Sequence, residues 1–421
     1  MSANKRLKAE VTNDALVVTP CLPPLAAFVI NRSVHKTRLN QTLPNRESGL
    51  SFLARNFAAQ DERFRSASTI LQKAIAARVF PACSLAVTFR EELVALKAIG
   101  RFTYDAASAE VSAATLFDLA SLTKVVATTT MAMILYERGE LDLEAPVAAI
   151  VPEFAATEFA ENSTRREITV RMLLAHSSGL PAYEKLFLRA KTRDALLQAA
   201  FTTPLTATPG ARAEYSDIGF IVLGVALERL ADESLDRFCQ REIFGPLGMM
   251  HTTFNPARAL KSEIPPTTDD RTFRHRIIQG EVQDENASVL GGVAGHAGLF
   301  STAEDLAIFA HCVLNGGHPI LRPETVALFS RRESVPEGTS RALGWDTPSS
   351  PSQSGKYFGA RSFGHLGYTG TSLWIDPDRK ISIALLTNRT WPDCQNQAIK
   401  QVRPAFHDAV IEALEKMENK R

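Results

Sequence analysis

β-favouring apolar runs stand near both ends of this chain, with helical periodicity between them, and few folds accommodate that order. Early on, Ala82–Phe89 and residues 93–99 read as two strands around Glu91-Glu92. Late in the chain, residues 372–375 and Ile381–Thr387 read as a hairpin, because Asp376-Pro377-Asp378-Arg379 supplies turn geometry between them. Residues 121–138, 169–175, 217–230, 235–243 and 302–314 are expected helices. The second stops at Ser177-Ser178-Gly179-Leu180-Pro181. Helical spacing also marks Phe64, Ile70, Leu71, Ala74 and Ile75, ahead of Pro81, and Ile399, Val402, Phe406, Val410 and Leu414 at the end. Such a chain can close one sheet from its two ends and insert an all-helical lobe between them. Residues 1–60 show no sustained period and are expected to form a loosely packed extension, leaving 61–421 as the folded unit.

Composition excludes several classes. With 45% hydrophobic and 22% charged residues, the 421-residue chain can bury a core. Lys+Arg 47 against Asp+Glu 46 leaves a formal charge of +1, so no global basic field exists to hold nucleic acid. The five cysteines (Cys21, Cys83, Cys239, Cys312, Cys394) are odd in number and form no C-x-x-C pair. They read as small buried thiols rather than a disulfide framework or a zinc knuckle. Lys5, Arg6 and Lys8 precede an apolar stretch over 15–30, but Pro20, Pro23 and Pro24 break it. A signal segment needs an unbroken apolar run, and no stretch reaches the roughly 18 apolar residues of a membrane span. The expected location is therefore the cytoplasm, with the periplasm or envelope as the alternative, and no membrane partner is expected.

Three short patterns can carry chemistry. Ser121-Leu122-Thr123-Lys124 opens the long expected helix, where residues three apart share a face. A serine hydroxyl is a weak nucleophile that needs a base beside it, and a lysine whose pKa is lowered by burial can serve. The same spacing occurs at Ser2…Lys5 and Ser33…Lys36, but no helix follows those. A helix-capping serine is the competing reading of Ser121. Tyr215-Ser216-Asp217 follows the turn Pro209-Gly210 and precedes a helix, so Tyr215 could exchange protons or merely pack at the helix base. Gly364-His365-Leu366-Gly367-Tyr368-Thr369-Gly370 precedes the first strand of the late hairpin, and its glycines permit close backbone approach to a ligand.

Ser121-x-x-Lys124, Tyr215-Ser216-Asp217 and His365-x-Gly367, in this order and roughly 90 and 150 residues apart, resemble the serine β-lactamase and penicillin-recognising superfamily. The similarity is greatest to its class C and esterase-like branch, and Leu173–Leu180 and Gly295–Ala303 add to it. It covers about residues 65–415. The resemblance implies an α+β fold, an α/β sandwich in which helices flank an antiparallel sheet built from both chain ends. One lobe would comprise about 61–115 and 280–421, and the helical lobe about 116–279. Ser121 would be the nucleophile of an acyl-enzyme, Lys124 and Tyr215 would share base and acid roles, and the amides of Ser121 and Tyr368 would form the oxyanion hole. His365, Gly367 and Asp217 would bind substrate, a small-molecule or peptide ester or amide, with no cofactor.

Two departures from the family pattern bear on substrate. His365 stands where β-lactamases carry lysine, so the fixed cation for a substrate carboxylate is missing and β-lactam hydrolysis is expected to be weak at most. Asp217 stands where class C enzymes carry asparagine, and a carboxylate cannot donate the amide hydrogen bond. Esterase, D-amino-acid peptidase and carboxypeptidase activities stay open, and a catalytically idle ligand- or partner-binding member is the alternative. His296, His311, His318 and His365 match no metal-ligand spacing, so no metal is expected. His176 is expected to hold a turn by hydrogen bonds. Asp284-Glu285-Asn286 reads as solvated loop acids, with Asp284 and Asn286 as candidates for the cleft rim.

Overall fold

The computed structural model describes residues 53–156 and 162–418. Residues 1–52 of the expected extension, Cys21 among them, lie outside these. Eleven strands occur among the described residues: β1 (Ala54–Arg55), β2 (Ala82–Phe89), β3 (Glu92–Gly100), β4 (Phe117–Asp118), β5 (Thr253–Phe254), β6 (Thr268–Asp270), β7 (Arg276–Ile278), β8 (Leu299–Ser301), β9 (Phe363–Leu366), β10 (Ser372–Asp376) and β11 (Ile381–Thr387). The main sheet has the order β1-β3-β2-β11-β10-β9. Strands from both chain ends thus meet at the β2–β11 pair, antiparallel in the register Ala86↔Ala384. The short edge strand β1 is the exception to the antiparallel rule, pairing parallel with β3. The expected boundary of the extension at residue 60 is corrected accordingly, since residues 54–55 already belong to the sheet.

Period-two alternation explains why both faces of this sheet are covered. In β2 and β11, Ala82, Ala86, Ala384 and Leu386 share one core with helix Ala303–Leu314 and the helical lobe. The intervening Leu85, Val87, Ile381, Ile383 and Leu385 join helices Arg65–Ala76 and Ile399–Glu418 in a second core. Small residues on the first face let helix Ala303–Leu314 approach the strands; the larger ones on the second fill the space beneath two helices. Cys83, Cys239 and Cys312 are buried free thiols, as expected, whereas Cys394 is only partly buried.

Helices of the inserted lobe start where capping side chains place them. Thr169 accepts the Met172 amide, Thr302 the Asp305 amide, and Ser216 the Gly219 amide at 3.0 Å. The long helix expected over 121–138 is different. A turn comes first, followed by a π-helical stretch Lys124–Thr129 and only then α-helix Thr130–Glu137. The wider π turn occurs at the position that carries Lys124, as π segments often do at functional sites. β9 adds a strand ahead of the expected late hairpin: Gly364 backs onto Trp374 of β10, where any Cβ would collide with the indole. Glycine at 364 is what lets the strand pack.

Candidate active site

The short sheet β4–β8–β5 fixes the segment leading to Ser121. The Leu119 amide donates to the Leu299 carbonyl at 2.9 Å, and the Ala120 amide donates to Asp118 Oδ1 at 2.8 Å. Ala120 then takes φ 46°, a left-handed conformation costly for any residue with a Cβ, and turns the chain so that Ser121 projects. Asp118 also accepts the Gln283 amide at 2.6 Å. Burial pushes its carboxyl up to about 6, against the pull of those two amides.

Ser121 does not cap a helix. Its Oγ lies 2.6 Å from Tyr215 Oη and accepts from Lys124 Nζ at 2.9 Å. Lys124 is fully buried and also donates to Asp217 Oδ1 at 2.6 Å and to the His296 carbonyl at 3.0 Å. Tyr215 Oη reaches Asp217 Oδ1 at 3.1 Å. The first two sequence patterns therefore converge on a cluster of Ser121, Lys124, Tyr215 and Asp217. Burial pulls the Lys124 ammonium below the ordinary lysine range, and the Asp217 carboxylate opposes that pull. Burial and the Asp217 charge hold the Tyr215 phenol well above its ordinary range. Asp217 is the first residue of helix Asp217–Ala231 and is fixed by its amide on the Ala182 carbonyl at 2.8 Å, so the helix start aims its carboxylate at Lys124.

The third pattern docks on the segment before Ser121. Thr369 Oγ1 donates to the Asp118 carbonyl at 2.7 Å, and Thr371 Oγ1 to the Leu119 carbonyl at 2.9 Å. A Cβ at Gly367 would fall 2.5 Å from the Leu119 oxygen, which is why glycine stands there. This brings Tyr368 to the Ser121 side. Among the described residues, neither the Ser121 nor the Tyr368 amide donates to a protein acceptor. The Tyr368 ring is 48% exposed and lies against the Arg389 guanidinium.

His365 is buried rather than offered to solvent, with its ring 6.0 Å from that of Tyr215. Its Nδ1 lies 2.8 Å from the Leu366 carbonyl and so carries the proton, leaving Nε2 as an acceptor without a partner. Burial and the charges of Lys124 and Arg341 hold it well below the ordinary histidine range, so it is neutral. His176, as expected, holds a turn: Nδ1 accepts the Ser216 amide at 3.0 Å. Its Nε2 is buried without a partner, and its ring lies 4.8 Å from that of Tyr215.

Two expectations need correction. Asp284-Glu285-Asn286 is not a solvated loop: Asp284 caps the short helix Glu285–Val289 and lies 2.8 Å from His296 Nε2. Asn286 is no rim residue but is wholly buried, with Oδ1 on the Phe187 amide and Nδ2 on the Glu184 carbonyl. Sequence reading also missed Arg341. Its guanidinium stands 5.6 Å from the Tyr215 ring and 3.7 Å from Asp346 Oδ1. No motif surrounds Arg341, and only the bridge between Arg341 and Asp346, next to Asp346's pairing with Gly364, carries it to the site. Among the described residues, no cluster of three metal-ligating side chains occurs.

A family model described as Beta-lactamase matches residues 62–403. A relative from Salmonella agona, provisionally named a D-alanyl-D-alanine carboxypeptidase, is 33% identical over 306 residues, spanning 65% of this chain and 69% of the relative. A Bacillus subtilis protein named N-acetylmuramyl-L-alanine amidase is 34% identical over 310 residues, spanning 67% of this chain and 69% of its own. Among solved structures, EstCE1, described as a hydrolase with promiscuous acyltransferase activity, superposes with TM-score 0.68 at 20% identity, covering 83% of this chain and 99% of its own. That likeness speaks to fold.

Proposed function

The chain belongs to the Beta-lactamase family of hydrolases, and on that premise we propose that it hydrolyses carboxylic esters or amides through an acyl-enzyme on Ser121. One observation carries this reading: the Ser121 Oγ is hydrogen-bonded at once to Lys124 Nζ and Tyr215 Oη, at 2.9 and 2.6 Å. A hydroxyl held between a cation and a proton acceptor is activated for attack, which an idle binding site has no chemical need to build. Attack on the substrate carbonyl forms the Oγ–acyl bond, and the Ser121 proton enters the cluster. The tetrahedral oxyanion is received by the Ser121 and Tyr368 amides, and the leaving group departs with the proton. Water then releases the acid by the reverse route.

Arg341 favours a substrate with a carboxylate near the scissile bond. The family lysine is missing at position 365 and His365 is neutral, yet Arg341 supplies a permanent cation beside Tyr215. Peptidase activity on D-amino-acid amides fits this better than action on wholly neutral esters, and it agrees with the name of the Salmonella agona relative. The test is a panel of nitrophenyl esters, D-alanyl amides and a chromogenic β-lactam, with wild type and Ser121→Ala. Turnover should vanish in the variant, together with labelling by a fluorophosphonate probe. Full turnover by folded Ser121→Ala would overturn the reading.

A further inference from the structure

Within that reading, we infer that Asp217 is the resting acceptor of the Ser121 proton, reached through Tyr215. The hydrogen-bond inventory of the cluster leads there. Lys124 Nζ faces three acceptors, Asp217 Oδ1 at 2.6 Å, Ser121 Oγ at 2.9 Å and the His296 carbonyl at 3.0 Å. An ammonium has three N–H donors and no lone pair, so each acceptor takes one and none is left to receive the serine proton. A neutral amine would strand the Asp217 carboxylate, 16% exposed, without its counter-charge. The Ser121 hydroxyl, already accepting from Lys124, donates to Tyr215 Oη at 2.6 Å. Tyr215, already accepting from Ser121, donates to Asp217 Oδ1 at 3.1 Å. Each hydroxyl thus has one donor partner and one acceptor partner, and the chain of donors ends on the one group that only accepts.

The phenol cannot hold the charge itself. Burial and the neighbouring carboxylate disfavour a phenolate, so Tyr215 passes a proton on as it receives one. In acylation the Ser121 O–H breaks as the Oγ–acyl bond forms; its proton goes to Tyr215 Oη, and the Tyr215 proton goes to Asp217. On collapse, the bond to the leaving group breaks; Tyr215 gives that group a proton and recovers its own from Asp217. No other reactant is needed. An asparagine at 217 could not close this circuit, since its amide has no basic oxygen. The residue that departs from the family pattern therefore changes where the base resides. Asp217 acts through Tyr215, whose hydroxyl stands between its carboxylate and Ser121 Oγ.

The groups facing Asp217 are Lys124 and Tyr215 by direct hydrogen bond, the Tyr183 phenol, which feels its charge, and Asp284 and Arg341, which act on Lys124 from further off. The test is the pH profile of kcat/KM for a nitrophenyl ester in wild type, Asp217→Asn and Asp217→Glu, each shown to be folded by its thermal melt. Wild type should lose activity on the acid side with a one-proton limb. Asp217→Asn should lose at least tenfold near pH 6 and recover at alkaline pH, where Lys124, freed of its counter-ion, becomes the base. Asp217→Glu should keep the acid limb at reduced rate. If Asp217→Asn keeps the wild-type profile, is lowered equally at every pH, or matches Asp217→Glu, the inference falls. Ser121→Ala run beside them separates the two readings: turnover there would remove the acyl-enzyme itself, whatever Asp217 does.

Discussion

In the cluster of Ser121, Lys124, Tyr215 and Asp217, four hydrogen bonds of 2.6–3.1 Å join the side chains. Beside it, against the same Tyr215 ring, His176 and His365 keep buried Nε2 atoms with no protein partner. His176 Nε2 carries a proton and His365 Nε2 a lone pair, by the bonds their Nδ1 atoms make. Leaving such atoms unpaired costs free energy, about 1–3 kcal/mol for a buried group. A saturated network is preset for chemistry before substrate arrives, whereas an unsaturated one gains its partners from what binds. The first region should govern rate, and the second, with Arg341, should govern which substrate is taken.

The largest effect should come from the saturated region. Lys124→Ala removes three hydrogen bonds at once and leaves the Asp217 carboxylate without its cation. The kcat/KM for any substrate should fall by at least about a thousandfold, seen as loss of fluorophosphonate labelling rate at Ser121. A loss that varied strongly among substrates would place Lys124 in recognition and break the contrast. Arg341→Gln should act the other way. For a D-alanyl amide ending in a carboxylate, KM should rise about ten- to a hundredfold, the range of a charge-assisted hydrogen bond. For a neutral ester the change should be smaller, with kcat moving less than KM. Equal losses for both substrates would remove Arg341 from carboxylate recognition.

The two regions also differed in how much the sequence disclosed. The convergence of Ser121, Lys124 and Tyr215 was legible because the serine and lysine sit three residues apart and the tyrosine precedes a capped helix. The sheet was legible for a similar reason: residues 82–89 and 381–387 are mostly apolar, broken only by small hydroxyl residues, as suits strands buried on both faces. Arg341 was not, because its place depends on a bridge to Asp346, and Asp346 in turn pairs with Gly364 of β9. β9 itself was hidden by Gly364, whose role is to make room for Trp374. Asp284 and Asn286 looked like solvated acids and amides because burial at 284–286 comes from distant partners, His296 and the 184–187 segment. Contacts set by local period were readable; those set by a long-range partner were not.

The smallest effect concerns protons. Burial keeps His365 neutral in the folded state, below the 6.5 it would have unfolded. As pH falls beneath 6.5 the unfolded chain binds a proton there that the folded chain does not, so its share of stability is present near neutrality and lost on acidification. His407, between Phe358 and Phe406 in the other core, is pushed down to about 3 by the same cause and loses its share between about 6.5 and 3. His365→Gln should therefore flatten the fall of unfolding free energy between pH 6.5 and 5 by up to about 1.4 kcal/mol per pH unit, and His407→Gln by a similar amount. The two sites lie in different cores and share no partner, so the double variant should show the sum. Urea unfolding at several pH values measures this. What separates the histidines is substrate: a bound amide N–H should change the His365 contribution by donating to Nε2, and leave that of His407 untouched. If a slowly turned-over substrate analogue moved neither, the unpaired atoms around Tyr215 would be packing defects rather than part of recognition.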